Sequence, residues 1–159
     1  QRVPSRGGLT LRIKVADLVA RYEAIYEDRM QDLPIVNSKL SVEAVGFDQW
    51  EDQDLGVLIT PWFMNLVLLP DSQRLADLPQ GEQIECRFPS GPCELTVYHD
   101  EELGSYLAAV LFRTVADFPD QDIARAVAEE ALANLLTEPP EKEGEKVSRR
   151  GLITGLRAS

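Results

Sequence analysis

Apolar residues recur at steps of three and four through Leu11, Val15, Leu18, Val19, Tyr22, Ile25, Tyr26 and Met30. That spacing lays them along one stripe of a helix, which ends before Pro34. Ser41–Phe47 carries Val42, Ala44, Val45 and Phe47 and reads as a strand, with Gly46 marking a bulge or bend. An acidic loop, Asp48–Asp54, follows. Leu55–Ile59 and Asn65–Leu69 are short apolar runs of strand type, separated by Pro61, which donates no ladder hydrogen bond. Residues 71–80 read as loop. Gln83–Phe88 and Glu94–Tyr98 flank Pro89-Ser90-Gly91-Pro92, a turn signal that predicts a hairpin. His99–Glu102 is polar and reads as a loop. Tyr106–Phe112 is a further strand candidate, although Leu107–Leu111 also suits a helix. Asp117 or Asp120 caps a last helix, in which Ile123, Val127, Ala131 and Leu135 recur every four residues beside Leu132 and Leu136.

The order is therefore helix, about six strands, helix. Neighbouring strands joined by short turns favour an antiparallel sheet. The expected architecture is α+β in two layers, with an antiparallel sheet of five or six strands and both helices packed on one face. One domain over residues 11–137 is expected, preceded by a basic tail, 1–10. A charged linker and basic tail, 138–159, follow it.

At 159 residues, with 44% hydrophobic and 27% charged residues, the chain has ordinary globular composition. No apolar run approaches the ~20 residues that span a bilayer, so stable membrane insertion is not expected. Residues 1–14 lack the apolar stretch of a secretory signal, and a cytoplasmic location is expected. The net charge is −11, unevenly spread. Residues 1–15 and 146–159 hold four basic residues each and no acid. Residues 16–145 hold 8 basic and 27 acidic residues, a net of −19. Such a body repels phosphate backbones, which argues against nucleic acid, and it attracts cationic partners. A merely soluble acidic surface is the plainer reading.

Sequence support for catalysis is lacking. His99 is the one histidine, sits in an acidic stretch and has no nucleophile motif near it, so it reads as a solvated loop residue. No phosphate-binding glycine loop, zinc-protease motif or calcium loop is present, and no cofactor is expected. Cys86 and Cys93 flank the predicted hairpin turn, where they face one another. Free buried thiols are one reading; a disulfide or a soft-metal pair is the other.

One segment stands apart. Trp62, Phe63 and Met64 are consecutive large apolar residues directly after Pro61. Neighbours in an extended chain point to opposite faces, so a core on one side cannot take all three. Either at least one is exposed and binds apolar peptide, or all three pack in a corner buried on both sides.

This segment, Leu55–Pro70 with its Ile-Thr-Pro-Trp-Phe-Met-Asn-Leu centre, also carries a family resemblance. So do Arg29-Met-Gln-Asp-Leu-Pro34, Leu40–Phe47 leading to Trp50, Phe88-Pro-Ser-Gly91 and Ser148-Arg-Arg-Gly-Leu-Ile153. Together they span residues 15–155, and the chain resembles the HybE/HupJ-type [NiFe]-hydrogenase assembly chaperones. The resemblance implies a non-enzymatic maturation factor with a two-layer fold similar to secretion chaperones. The implied partner is the hydrogenase small-subunit precursor with its twin-arginine export signal, the large subunit being a second candidate. Export would be delayed until assembly is complete. Such a signal is basic and then apolar. A groove with Trp62, Phe63 or Met64 beside Asp48, Glu51, Asp52 and Asp54 would complement both parts. Arg149 and Arg150 make the tail itself resemble the twin-arginine core. It either occupies the groove as a pseudo-substrate, or is a coincidental basic tail or one that touches the partner directly. The rival reading is a metal or redox accessory factor using Cys86, Cys93 and His99.

Overall fold

The computed structural model describes residues 12–139, so both tails, Arg149 and Arg150 included, lie outside the described residues. Helix α1 (Val15–Ile25) continues into a π-helical turn, Tyr26–Met30, where the Gln31 N–H reaches back to the Tyr26 carbonyl at 2.9 Å. Six strands follow: β1 (Glu43–Trp50), β2 (Gln53–Thr60), β3 (Phe63–Leu69), β4 (Gln83–Phe88), β5 (Gly91–Asp100) and β6 (Gly104–Phe112). Helix α2 (Gln121–Leu135) ends the domain, capped by Asp120, whose carboxylate accepts from the Ile123 N–H at 2.9 Å. The strands form one antiparallel sheet in the order β1-β2-β3-β6-β5-β4. The α+β class and the six-stranded antiparallel sheet agree with the expectation.

The helices do not share a face. Alternate residues of β2 and β3 point to opposite sides. Val57, Ile59, Met64, Leu66 and Leu68 join Ala124, Ala128 and Leu132 of α2 in one core. Leu58, Val67 and Leu69 join Leu18 of α1 in the other. The cause is the unbroken apolar character of Leu55–Ile59 and Leu66–Leu69. A strand buried on both faces must be covered on both. An ion pair ties down each helix. Arg21 of α1 meets Asp100 of β5 at 3.2 Å, and Arg125 of α2 meets Glu43 of β1 at 2.8 Å.

Local chemistry explains the remaining boundaries. Gly46 is left-handed, at φ 67°, and the β1–β2 register slips between Val45 and Asp48, which is the expected bulge. A side chain there would meet Leu132 of α2, whose Cδ1 lies 2.6 Å from the position a Cβ would take. The expected acidic loop Asp48–Asp54 is mostly strand. The turn is only Glu51–Asp52, both residues at positive φ, between the paired Trp50 and Gln53. A tight hairpin turn of this kind matches the sheet twist but usually announces itself with Asn-Gly or Asp-Gly. Glu-Asp offered no such signal. Strand β5 starts at Gly91 because Pro92, opposite Arg87 near the strand end, costs little pairing there. The sheet coils until Trp50, ending one edge strand, packs on Phe88, ending the other, with ring centroids 4.7 Å apart.

Candidate functional site

Strand β2 ends at Thr60 and β3 begins at Phe63, which is its direct partner, so Pro61 and Trp62 form a two-residue turn. Pro61 suits the turn because its ring presets φ. The buried Thr60 hydroxyl holds the turn shut. It accepts from the N–H groups of Trp62 (3.2 Å) and Phe63 (3.0 Å). In a turn, Trp62 is released from strand alternation and lies on the same side of the sheet as Phe63. Their rings meet edge to face at 5.5 Å. Met64, one residue on, points to the α2 side and is 0% exposed. The three residues therefore divide. Trp62 and Phe63 are half-buried on the α1 side, and Met64 is core, with no surface to offer a partner.

Around Trp62 and Phe63 the fold gathers all four tyrosines of the chain. Tyr22 of α1 lies edge-on to Phe63 at 5.6 Å, and Tyr26 of the π turn stacks on Trp62 at 6.2 Å. Tyr106 of β6 stacks on Tyr98 of β5 at 5.7 Å and shares a 2.6 Å hydrogen bond with the Tyr22 hydroxyl. Burial pushes both of these phenols up, so the pair stays neutral. All of these side chains except Tyr26 line an open groove of about 420 Å³, together with Ile35, Asn65, Val110 and Arg113. Ile35 is 60% exposed and Val110 49%. A second hollow of about 440 Å³ adjoins it, sharing Ile35, Trp62 and Arg113 and adding Lys39. Large apolar side chains left exposed around a concave aromatic surface mark a place for another molecule.

Asn37 fixes the mouth of this region. Its buried side chain donates to the carbonyls of Val115 (2.9 Å) and Phe118 (3.0 Å) and accepts from the Lys39 N–H. Its own N–H donates to the Pro61 carbonyl at 2.7 Å. One residue thus joins the segment after the π turn, the Pro61–Trp62 turn and the approach to α2. No sequence motif signals it. The tyrosines carried a weak signal in the i, i+4 spacing of Tyr22 and Tyr26, which reads equally well as core.

The acids expected beside Trp62 are not there. Glu51 and Asp52 form the turn just before Gln53, at the other end of β2, and Gln53 itself lies seven residues from Thr60, or about 24 Å at ~3.4 Å per residue. Asp48 faces the α2 side opposite Leu55, and Asp54 the α1 side opposite Leu69. Asp54 is also met by Arg12, at 3.9 Å, and the same guanidinium donates to the Asp52 carbonyl at 3.0 Å. Two other acids border the aromatic cluster: Glu23 and Glu27 line a hollow of about 260 Å³ with Tyr26 and Pro61, and Asp100, paired with Arg21, acts on the Tyr22 and Tyr106 phenols.

Cys86 and Cys93 are cross-strand partners, as the hairpin implies, and both are free thiols. Burial raises both thiol pKa values, which lowers their reactivity. Cys86 borders a hollow of about 460 Å³ whose rim alternates Glu51, Arg74, Glu85 and Arg87. That mixed charge, with Trp50 as its one aromatic, makes it a poorer apolar binding surface than the Trp62 groove. His99 lies in β5, not in a loop, six residues along from Cys93. Its ring is exposed yet anchored at both nitrogens, to the Ser105 hydroxyl (2.7 Å) and the Leu78 carbonyl (2.6 Å). Among the described residues no three His, Cys, Asp or Glu side chains converge as metal ligands. No helix among them is long and apolar enough to cross a membrane.

Comparison with known proteins agrees with this fold. The family described as "[NiFe]-hydrogenase assembly, chaperone, HybE" matches residues 14–155. The chain is 41% identical over 133 residues to the hydrogenase expression/formation protein HupJ of Bradyrhizobium diazoefficiens, covering 84% of this chain and 76% of that one. It is 43% identical over 136 residues to the hydrogenase expression/formation protein HupT of Azotobacter chroococcum, covering 84% and 89%. The solution structure of HybE from Escherichia coli superposes with a TM-score of 0.60 at 23% identity, covering 91% of this chain and 90% of that one, and so shares its fold. With a family match over nearly the whole domain and relatives above 40% identity, the chain belongs to the HybE family of [NiFe]-hydrogenase assembly chaperones.

Proposed function

We propose that the chain binds the hydrogenase small-subunit precursor in the cytoplasm and holds it back from export until assembly is complete. The Trp62–Phe63 groove takes an apolar stretch of that precursor, its twin-arginine signal being the first candidate. The observation that carries this reading is the exposed Ile35 and Val110 beside half-buried aromatics in an open groove. Apolar burial supplies most of the affinity, at ~25 cal/mol per Å² before ordering costs. The work asked of the protein is binding, and the aromatic groove serves it without a reacting group. Asp48, Glu51, Asp52 and Asp54 stand outside the groove and act at longer range, drawing a cationic signal toward the domain.

Calorimetric titration with the twin-arginine signal peptide of the cognate small subunit tests this. Trp62→Ala should weaken binding about tenfold or more. A double-lysine peptide should bind less well if the arginine forks are held, and equally well if only the apolar stretch is. Unchanged affinity in Trp62→Ala would remove the groove from the mechanism.

A further inference from the structure

The Trp62 groove is polarised in charge, against the overall sign of the chain. Arg113 lines both concavities onto which Trp62 opens, and Lys39 lines the second. Both are exposed, and neither makes an ion pair among the described residues. In a chain of net charge −11, the two hollows onto which Trp62 opens are lined by these two cations and by no acid. Glu23 and Glu27 line the separate hollow beyond Pro61 and Tyr26. The groove also holds an unmet acceptor. Asn65 lies on the groove wall, opposite Val110, and its side-chain oxygen is buried without a hydrogen-bond partner among the described residues. An acceptor left in that condition is unfavourable, and a turn of the Asn65 side chain toward the groove would let an incoming donor pair with it.

We propose that the groove binds an apolar peptide segment that carries a carboxylate at one end. The apolar side chains lie over Ile35, Trp62, Phe63 and Val110, and a peptide N–H or side-chain donor meets the Asn65 oxygen. The carboxylate sits against Arg113 and Lys39, while any basic residues before the apolar stretch lie toward Glu23 and Glu27. This rests on the groove reading above and adds to it the second charge and the direction in which the segment lies. Guanidinium suits a carboxylate because its donors match both oxygens.

The test uses the full chain and three synthetic decapeptides with one leucine-rich core, ending in Asp-Asp, Asn-Asn or Lys-Lys and amidated. The wild type should bind the Asp peptide about fivefold more tightly than the Asn peptide and bind the Lys peptide least. The double variant Arg113→Glu, Lys39→Glu should reverse that order, because both residues are exposed and the fold does not depend on them. Equal wild-type affinity for all three peptides, lost in Trp62→Ala and in Val110→Ser, would overturn the charge assignment and leave the groove standing. Binding indifferent to both groove variants, or no binding at all, would overturn the groove reading and this one with it.

Discussion

Asn37 shows how much a single polar side chain can position. Its amide satisfies two carbonyls that lie between β6 and α2, and its own N–H anchors Pro61. Asn37→Ala would remove both amide donors, leaving the Val115 carbonyl only the Phe118 N–H at 3.2 Å, at a cost of ~1–3 kcal/mol. Urea unfolding should show that loss, and peptide affinity should fall with it because the segment whose residue-37 N–H holds Pro61 is no longer fixed to Val115 and Phe118. An Asn37→Ala protein of wild-type stability would mean that water replaces the amide without penalty. Gly56 acts by what it lacks. A Cβ there would lie 2.4 Å from the Phe47 ring, which fills the space on the α1 side of the sheet. Trp62 illustrates the reverse case, a large side chain whose exposure depends on its being placed in a turn rather than a strand.

Among the elements, each helix combines an apolar seam with one ionic tether. The seam dominates: burying a residue such as Leu132 contributes about 1.5–3 kcal/mol. The tether is half-exposed and weaker. The Arg125 guanidinium and, second to it, the Gln121 amide hold the Glu43 carboxyl below its usual 4.5, although burial works the other way. A carboxylate whose folded-state value is depressed adds stability above its unfolded value, and that stability is lost as pH falls through the folded value. Glu43→Gln should therefore cost about 0.5–1 kcal/mol near pH 7, with solvent screening allowed for. The difference from wild type should close below about pH 4.5. Urea midpoints at pH 7 and pH 3.5 measure it, and a gap that persists at the lower pH would show that Gln disturbs packing instead. The π turn also matters at this scale. It reverses no seam, but it delivers Tyr26 onto Trp62 just before the chain leaves the helix.

At the scale of the whole domain, the acidic β1–β2 turn and the aromatic groove are separated. The aromatic groove lies at one end of β2 and the acids Glu51 and Asp52 at the other. Charges that do not touch a bound segment still set the field through which it approaches. Neutralising Asp48, Glu51, Asp52 and Asp54 together should lower the association rate of the twin-arginine peptide several-fold at low salt. The dissociation rate should hardly change, and the difference should shrink as salt is added. Stopped-flow tryptophan fluorescence would resolve the two rates. A faster dissociation with an unchanged association rate would place those acids in direct contact.

Much of this protein could be read along the chain, because the relevant physics is local. Periodicity marked α1 and α2, Asp120 served as one of the two expected caps, and the Pro89–Ser90 turn set Cys86 opposite Cys93. The Leu55–Pro70 segment was likewise distinctive enough to indicate the family. What periodicity cannot convey is which faces are covered and what lies beside what. The apolar runs of β2 and β3 implied cover on two sides, yet only the packed sheet shows α1 and α2 on opposite faces. Proximity in sequence suggested that Trp62 and the Glu51–Asp52 acids share a groove; an extended strand separates its two ends instead. The groove itself draws on α1, the segment after the π turn, the Pro61–Trp62 turn, β3, β5 and β6. Its residues meet only when the sheet is assembled, since contact between distant segments depends on strand order and register, and no single stretch of sequence carries either.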